Sequence, residues 1–360
     1  HFPPCYIPFS TALREKGVTV LGVADEPYDN LTAELKSALG EYYRVNSLED
    51  YDQKYRALGH FCHRYGRLDR LESHNEHWLE SDARLRTDFN IPGFRVEDIA
   101  RIKRKSEMKK LFRKAGVDCA RGILVRDEDT VRAFVREVGY PLVVKPDAGV
   151  GAARTYKLKD QRDLDAFLAD RPAVDYYMEE FIVGTIQSFD GLTDQKGAPV
   201  FFTSHVFSSG IMEVVNERLD IHYYSVRQVP PDLEKAGRAL LKAFGVRERF
   251  FHFEFFRTPE GKLMALEVNM RPPGGLTVMM FNYANDLDIY RQYAEVVVNN
   301  RFTAKVERPY HCCYIGRQFS DGYRLTHAEV LSRYRDILGH HEPISGVFAA
   351  AIGRHGYLIR

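Results

Sequence analysis

The chain has 360 residues, 44% of them hydrophobic, which is enough to bury a full core and to form two or three lobes. Its 51 Lys and Arg residues nearly balance 50 Asp and Glu residues, which excludes a global field that would attract nucleic acid or an anionic membrane. No window approaches the roughly 18 uncharged apolar residues of a spanning helix, which excludes an integral membrane protein of that type.

The cysteine pattern and the first residues of the chain bear on the cellular compartment of the protein. The five cysteines are odd in number and scattered, which fits a reducing cytoplasm: Cys5, Cys62, Cys119, Cys312 and Cys313. The chain begins at His1 without a basic segment followed by a long apolar one, so we read no secretory signal. We expect a first strand of the N-terminal domain to precede His1.

The first hundred residues alternate between helical and strand-like periods. This alternation predicts an α/β, Rossmann-like domain over residues 1–100, with an open parallel sheet and helices on its faces. The predicted helices are Ser10–Lys16, Leu31–Leu39, Tyr51–Gly66 and His77–Phe89, and the predicted strands are Gly17–Asp25 and Leu68–Ser73.

A basic helix, Ile102–Ala115, opens a second segment in which strands dominate. We predict an α+β domain with an antiparallel sheet over residues 101–300, with a small lobe at about 120–185, and a C-terminal part, 301–360, that completes the large lobe. The predicted small-lobe strands are Gly122–Arg126, Pro141–Pro146 and Asp175–Gly184, with a helix at Asp129–Val138. The large-lobe strands are 187–194, 198–207, 222–229, 250–258, 262–271, 312–319 and 345–360, with helices Asp232–Phe244 and Glu329–Ile337.

Lys145 closes an apolar strand and is followed by a glycine-rich turn that contains Gly149 and Gly151. A lysine at the end of a buried strand needs an anionic partner, and glycines allow backbone N–H groups to approach an anion closely. The combination suggests a phosphate-binding turn, although a lysine beside an ordinary turn fits the fragment equally well. The spacing matches neither a P-loop nor a dinucleotide fingerprint.

Glu179 and Glu180 are adjacent in a strand that leads into Phe181 and Ile182. Side chains alternate along a strand, so one carboxylate faces inward or toward a cleft and the other faces solvent. The backbone after this pair could bind the edge of a purine, and Gln187 could reach a ribose hydroxyl. An exposed acidic pair at a sheet edge is the simpler alternative.

The most informative segment is a hairpin with Glu254 on one strand and Glu267 and Asn269 on the other. Positions two apart share a face, so these three oxygen donors can meet on one side of the sheet. Such donors suit Mg²⁺, which would relieve the repulsion between close carboxylates. In the alternative, Glu254 pairs with Arg257 or Arg271 on a solvated face. Arg271 adds a planar donor for phosphate or carboxylate.

Other candidates are weaker. Lys105, near the start of the basic helix, could reach the same cleft, whereas we expect most of the neighbouring basic side chains to be solvated. A group of His and Cys residues lacks the spacing of a zinc site: His60, Cys62, His63, His74 and His77. No GxSxG motif or cysteine nucleophile signature supports covalent hydrolase chemistry.

Taken in order, these motifs resemble the ATP-grasp superfamily, specifically its carboxylate–amine ligase and carbamoyl-phosphate-synthase-like branch. The resemblance covers roughly residues 100–300, and the preceding α/β segment is similar to a pre-ATP-grasp domain. The motifs are loose individually and quite specific in this order: Lys105, Lys145-Pro with its glycines, Glu179-Glu180-Phe-Ile, Glu254, and Glu267-x-Asn269-x-Arg271.

The resemblance implies nucleotide contacts for several residues. Lys105 and Lys145 would hold the α- and β-phosphates of ATP, and loop 147–154 would close over the γ-phosphate. Glu180, Phe181 and Ile182 would form the adenine-binding hinge, with Glu179 as the alternative first hinge residue. The sequence departs from many members at Ala152 and Ala153, where serine is common, and at the ribose position, where Gln187 or Ile186 replaces an acid.

The resemblance also implies the chemistry. Glu254, Glu267 and Asn269 would hold one or two Mg²⁺ ions, with Mn²⁺ as the alternative, while Lys145 and Arg271 would neutralise charge on the transferring phosphoryl group. The expected activity is ATP-dependent activation of a small-molecule carboxylate as an acyl phosphate, followed by attack of an amine or another nucleophile and release of ADP and phosphate. The alternatives are a small-molecule kinase and a nucleotide-binding module without turnover. The resemblance also allows a homodimer.

For the carboxylate substrate we expect a pocket facing the nucleotide across the cleft. The candidate residues are His205, Ser208, Ser209, Arg227, Gly274 and Gly275.

Overall fold

The computed structural model describes residues 3–149, 154–171, 173–319 and 322–360. Its N-terminal part contains α1 (Ile7–Glu15), β1 (Leu21–Ala24), α2 (Ala33–Ala38), β2 (Glu41–Arg44), α3 (Tyr51–Tyr65) and α4 (Leu79–Asp88). The strands β1 and β2 pair in parallel, with Leu21 opposite Glu41. The α/β alternation is therefore present, and the sheet in the described residues has two strands.

The predicted strand at Leu68–Ser73 is wrong, because these residues form a loop. The backbone of this loop does not join the sheet, and its polar side chains form hydrogen bonds with the large lobe. The Glu72 carboxylate accepts hydrogen bonds from Arg249, at 2.5 and 3.2 Å, and from the buried Arg86. Burial raises the pKa of Glu72, but Arg249 and Arg86 outweigh it and lower that pKa to about 2. This loop therefore attaches the N-terminal domain to the rest of the molecule.

The predicted basic helix is two helices, α5 (Val96–Lys103) and α6 (Lys105–Lys114), separated by Arg104 in an extended conformation. Asp147 causes the break, since its backbone oxygen accepts from Lys105 N at 2.8 Å and its carboxylate accepts from Ser106 N at 2.8 Å. The cap of α6 is thus supplied by a residue 41 positions away, which local sequence periodicity cannot reveal.

The small lobe is a four-stranded antiparallel sheet in the order β3-β6-β4-β5, within the range expected from the sequence. Its elements are β3 (Gly122–Leu124), α7 (Glu128–Val138), β4 (Leu142–Pro146), β5 (Tyr156–Leu158), α8 (Gln161–Ala169) and β6 (Tyr176–Glu180). One face packs on the two helices through buried apolar side chains that include Val131, Leu142, Leu164 and Met178. Because β4 and β6 are neighbours in this sheet, the side chains of Lys145 and Glu179 lie close together.

The large lobe is built on a nine-stranded sheet in the order β12-β11-β7-β9-β10-β13-β15-β14, with β8 paired to β7. Its strands are β7 (Thr185–Thr193), β8 (Pro199–Thr203), β9 (His205–Phe207), β10 (Ile221–Ser225), β11 (Phe250–Arg257), β12 (Leu263–Asn269), β13 (Cys313–Arg317), β14 (Leu338–Pro343) and β15 (His355–Ile359). Its helices are α9 (Ile211–Glu217), α10 (Pro231–Phe244), α11 (Thr277–Asn285), α12 (Ile289–Asn299), α13 (His327–Arg333) and α14 (Gly346–Ile352).

Two sequence expectations for the large lobe are corrected. Segment 198–207 is split at Ser204 into β8 and β9, and segment 345–360 begins as helix α14 before strand β15. Helices α9 and α12 and strand β14 were not predicted. In the described part of the chain, no helix combines the length and apolar character needed to cross a membrane.

Alternation along β11 determines where the chemistry lies. Phe251, Phe253 and Phe255 join the core formed with α10 and α6. The intervening His252 and Glu254 therefore point to the opposite face of the sheet.

Candidate active site

Two carboxylates face each other across the β11–β12 pair. Glu254 lies directly opposite Glu267, and His252 lies directly opposite Asn269. Residues two apart share a face, so all four side chains lie on the side of the sheet away from the phenylalanine core. The predicted grouping of Glu254, Glu267 and Asn269 is therefore found. The alternative pairing of Glu254 with Arg257 is not found, because the Arg257 guanidinium binds the carboxylate of Asp232.

Helix α6 brings two lysines to this face. The Lys105 ammonium lies 3.3 Å from the Glu267 carboxylate, and the Lys109 ammonium lies 2.9 Å from Glu179. Both lysines are buried, with 5% and 1% of their surface exposed, so the expectation that this basic run is solvated is wrong for Lys109. Residues four apart share a helix face, and that spacing was the available signal.

Lys145 and Glu179 form the centre of the charge cluster. The Lys145 ammonium contacts Glu179 at 2.5 Å, and both side chains are almost fully buried. Burial alone would raise the pKa of Glu179, but Lys109 and Lys145 outweigh it and lower that pKa to about 2. Burial would lower the pKa of Lys145, yet Glu179 and Glu267 raise it. Both groups are therefore charged near neutral pH.

The same balance applies to Glu267. Its burial favours the neutral acid, but Lys105 and Lys145 lower its pKa. Two cations thus keep an ionised carboxylate on the face that carries Glu254. The arrangement supplies anionic oxygen donors for a cation next to ammonium groups for phosphate, which is the pairing that a metal–nucleotide complex requires.

Arg271 lies at the edge of this cluster. Its Nη1 donates to the backbone oxygen of Pro272 at 3.0 Å, and its Nε lies 3.6 Å from the carboxylate of Glu76. Glu76 is buried, which raises its pKa despite the nearby Arg271. The N-terminal domain therefore supplies one wall beside Arg271, and the sequence motifs gave no indication of it.

Behind Glu254 lies a buried chain of hydrogen bonds that the sequence analysis missed. Glu254 contacts His252 Nε2 at 3.0 Å, and the other ring nitrogen of His252 contacts Asp190 at 2.5 Å. Asp190 also binds His205 Nδ1 at 2.7 Å and accepts from Ser188. Burial would lower the pKa of His252, but Asp190 and Glu254 raise it to about 9. The chain runs across neighbouring strands, so its members are distant in sequence.

The segment that carries most of this arrangement is similar to a known domain family. Residues 138–279 match the family model described as ATP-grasp domain. The chain contains an ATP-grasp domain. The match begins at the last residue of α7 and continues through the rest of the small lobe and the β11–β12 hairpin. It ends in the first residues of α11. It therefore includes Lys145, Glu179, Glu254 and Glu267.

The chain is also similar to the L-arginine-specific L-amino acid ligase of Bacillus subtilis, with 22% identity over 227 residues. That match covers 58% of this chain and only 53% of the relative. Among solved structures, an L-amino acid ligase from Bacillus licheniformis aligns with a TM-score of 0.74 at 16% identity, covering 98% of this chain and 89% of that one. The biotin carboxylase domain of a Hydrogenobacter thermophilus 2-oxoglutarate carboxylase, solved with MgADP, ADP and bicarbonate, aligns with a TM-score of 0.68 at 17% identity, covering 99% and 83%. These structural matches show that the fold extends beyond the ATP-grasp domain over the whole chain.

The adenine and ribose expectations can now be located in the ATP-grasp domain. Glu179 points to the lysines, whereas the Glu180 carboxylate accepts from the backbone and guanidinium of Arg121. Phe181 and Ile182 follow β6 directly, and the Lys157 ammonium lies 3.7 Å from the Phe181 ring centre.

Gln187 is not brought to the carboxylates. It lies opposite Phe255 on the core-facing side of the sheet, with its amide oxygen 3.5 Å from Arg257. Ile186, the other candidate for the ribose contact, has the opposite orientation, so it presents an apolar side chain on the active-site face. Gly149 is exposed just after β4, whereas Gly151, Ala152 and Ala153 lie outside the described residues.

The residues expected to form the substrate pocket have different surroundings in the structure. His205 is fully buried in the Asp190 network instead of facing an open cleft. Gly274 and Gly275 lie against α14, since a Cβ on either would come within 2.8 Å of Phe348 or 2.2 Å of Ile352. Ser208 is exposed and Ser209 is half-buried, at the end of β9, and Arg227 is exposed with its Nε 3.2 Å from the Arg308 backbone oxygen.

The rejected zinc grouping is dispersed. His60 contacts Glu41, His77 contacts Glu49, and His74 packs 4.3 Å from the Phe9 ring. Burial holds the pKa of His74 at about 4, as expected for a neutral side chain in an aromatic core.

Proposed function

We propose that this protein is an ATP-dependent carboxylate–amine ligase. It activates a substrate carboxylate as an acyl phosphate, joins it to an amine or another nucleophile, and releases ADP and phosphate. The observation that carries the proposal is the opposed pair Glu254 and Glu267 with Lys105 and Lys145 beside it. The similarity to an L-amino acid ligase supports the same reaction class.

The donor set fits Mg²⁺ and, by the same chemistry, Mn²⁺. Glu254 and Glu267 present carboxylate oxygens from directly opposite positions, and Asn269 adds an amide oxygen on the same face. Hard divalent cations prefer such oxygen ligands and usually keep water and phosphate oxygens as well. When bound, the ion would neutralise charge on the phosphates of ATP.

The side chains of this protein do the positioning. Lys105 and Lys145 are both buried beside carboxylates, and Glu179 and Glu267 raise the pKa of Lys145, so desolvated cationic donors are already positioned where phosphate oxygens would bind. Phosphate would compete with Glu267 and Glu179 for these ammonium groups. Arg271, at the end of β12, would orient the acyl phosphate through its planar guanidinium. No protein nucleophile is required, because the substrate carboxylate itself attacks the γ-phosphorus.

A kinase that phosphorylates a hydroxyl is the second candidate, since the same cluster can hold ATP for either acceptor. A nucleotide-binding module without turnover is the third candidate, and it predicts ATP binding with no release of ADP or phosphate. The need for an amine in releasing inorganic phosphate distinguishes the ligase from the kinase.

The partners are then small molecules, a carboxylate and an amine, with a homodimer as the proposed assembly. We place the reaction in the cytoplasm, since all five cysteines are free.

The experiment is product analysis with Mg²⁺-ATP and pools of carboxylates, with and without pooled amines. The ligase predicts ADP and phosphate only when both pools are present. Loss of turnover in Glu267→Gln, with turnover retained in Glu128→Gln, a control on the exposed surface of α7, would assign the reaction to this site. Formation of AMP and pyrophosphate would refute the acyl-phosphate route. A phosphorylated acceptor without free phosphate would identify the kinase.

A further inference from the structure

Three histidines converge in the C-terminal part of the large lobe, away from the sequence motifs discussed above. His341 lies on β14, His355 lies on β15, and His327 is the first residue of α13. The two strands are neighbours, and β15 places His355 and Tyr357 on one face, with Tyr357 directly opposite His341. The N-terminus of α13 then brings His327 over the same face.

The geometry matches a set of metal ligands. One ring nitrogen from each histidine lies within 4.8 Å of the corresponding nitrogen of the other two. His355 Nε2 and His341 Nδ1 are 3.4 Å apart. A tetrahedral zinc ion with bonds of about 2.0–2.1 Å to nitrogen requires nitrogen pairs about 3.3–3.4 Å apart, so this pair already has the required spacing.

A hydroxyl group orients the third imidazole. His327 Nδ1 lies 2.8 Å from the hydroxyl of Tyr357, which is buried beneath the cluster. A hydrogen bond to one ring nitrogen fixes the ring and leaves the other available, as partners of metal-binding histidines commonly do. His327 is exposed and the other two are half-buried, so an ion can enter from solvent.

The charges around the cluster are mixed. Arg317 lies opposite His355 on β13, with its guanidinium 5.6 Å from the Tyr357 ring centre, and Glu342 contacts His340 at 3.1 Å.

We propose that His327, His341 and His355 form a binding site for a divalent late transition-metal ion, with Zn²⁺ as the favoured occupant. Three imidazoles and no carboxylate suit zinc, nickel or copper and do not suit Mg²⁺, so this site is chemically distinct from the one at Glu254 and Glu267. Three protein ligands leave a fourth position for water or an anion. The bound ion ties the start of α13 to the β14–β15 edge.

The test uses the full chain without a histidine tag, stripped of metal by a chelator and titrated with Zn²⁺ in excess Mg²⁺. Calorimetry should give one zinc ion per chain. Cobalt substituted at the site should give the visible absorption of a low-symmetry, four-coordinate ion. Replacing one of the three histidines should weaken zinc affinity by at least about tenfold. Losing only a residue that hydrogen-bonds to a metal ligand already lowers metal affinity by about 10- to 100-fold.

The variants are chosen to separate binding from folding. His327→Ala changes an exposed side chain, so it should weaken zinc binding while the chain without zinc keeps the circular dichroism spectrum of the folded parent. His341→Ala and His355→Ala should do the same to binding. His63→Ala, another exposed helical histidine, should leave zinc binding unchanged.

Absence of saturable zinc binding in the parent chain would overturn the proposal. So would zinc affinity that survives His327→Ala and His355→Ala together. Loss of zinc binding in Glu267→Gln but not in the histidine variants would assign the zinc to the carboxylates instead.

Discussion

Replacing Glu179 by glutamine tests the central charge cluster. The substitution keeps the shape of the side chain but leaves the ammonium groups of Lys109 and Lys145, now 2.9 and 2.5 Å away, without their anion. Breaking a buried ion pair from one side costs about 3–5 kcal/mol, because the remaining charge is desolvated and unpaired.

The pKa of Glu179 gives a second measure of how much its ionised carboxylate stabilises the fold. Its reduction from 4.5 to about 2 corresponds to about 3.4 kcal/mol of native-state stability, at 1.36 kcal/mol for each pKa unit. A depressed carboxylate pKa stabilises the fold above the unfolded-state value of 4.5, and this contribution is lost as the pH falls through about 2. About 2 kcal/mol of it should be gone at pH 3.

Urea unfolding followed by circular dichroism measures both effects. At pH 7, Glu179→Gln should lower the free energy of unfolding by about 3–5 kcal/mol. The matched control is Glu180→Gln, the next residue, whose carboxylate pairs with the half-exposed Arg121 and should contribute about 1 kcal/mol or less. The difference between Glu179→Gln and the parent should shrink between pH 7 and pH 3. Equal costs for the two variants, or a pH-independent difference, would refute the reasoning.

Three further outcomes are expected. Arg271→Lys should lower kcat by about 100-fold with little change in the KM for ATP, because the planar donor acts on the transferring group; an equal rise in KM would contradict this role. The pKa of the His252 imidazole should be about 9 by nitrogen NMR and should fall in Asp190→Asn. The stability that its charged form contributes is complete below pH 6.5 and is lost as the pH rises through about 9. Gly191→Ala should destabilise the fold by about 2 kcal/mol or more in urea unfolding, because its Cβ would lie 2.1 Å from the backbone oxygen of Phe201; a neutral result would contradict the close β7–β8 approach.

Much of the candidate site could be predicted because its chemistry is concentrated in short segments. The spacing of Glu267 and Asn269 on one strand, and the hairpin that returns to Glu254, require a shared face through side-chain alternation alone. Alternation also predicted that Glu179 and Glu180 would point in opposite directions, as they do.

Other features depend on contacts that no local pattern records. Lys109 belongs to a basic run that resembles an exposed helix face, and only the approach of β6 buries it against Glu179. The break before α6 comes from Asp147, and the orientation of Gln187 away from the site follows from its register with Phe255. Each case reflects a partner from a distant segment, whose presence changes the cost of burying a polar group.

The sequence by itself determined the α/β start of the chain, the strand-rich part that follows, the two carboxylates of the hairpin and the lysine near the end of β4, because periodicity and spacing act within a few residues. Only the tertiary structure decided which charges are neutralised. Pairing of β11 with β7 aligned His252 with Asp190, and pairing of β14 with β15 brought His341 beside His355. Long-range strand pairing sets these distances, and the strength of electrostatic and metal-ligand interactions depends on distance and burial rather than on position along the chain.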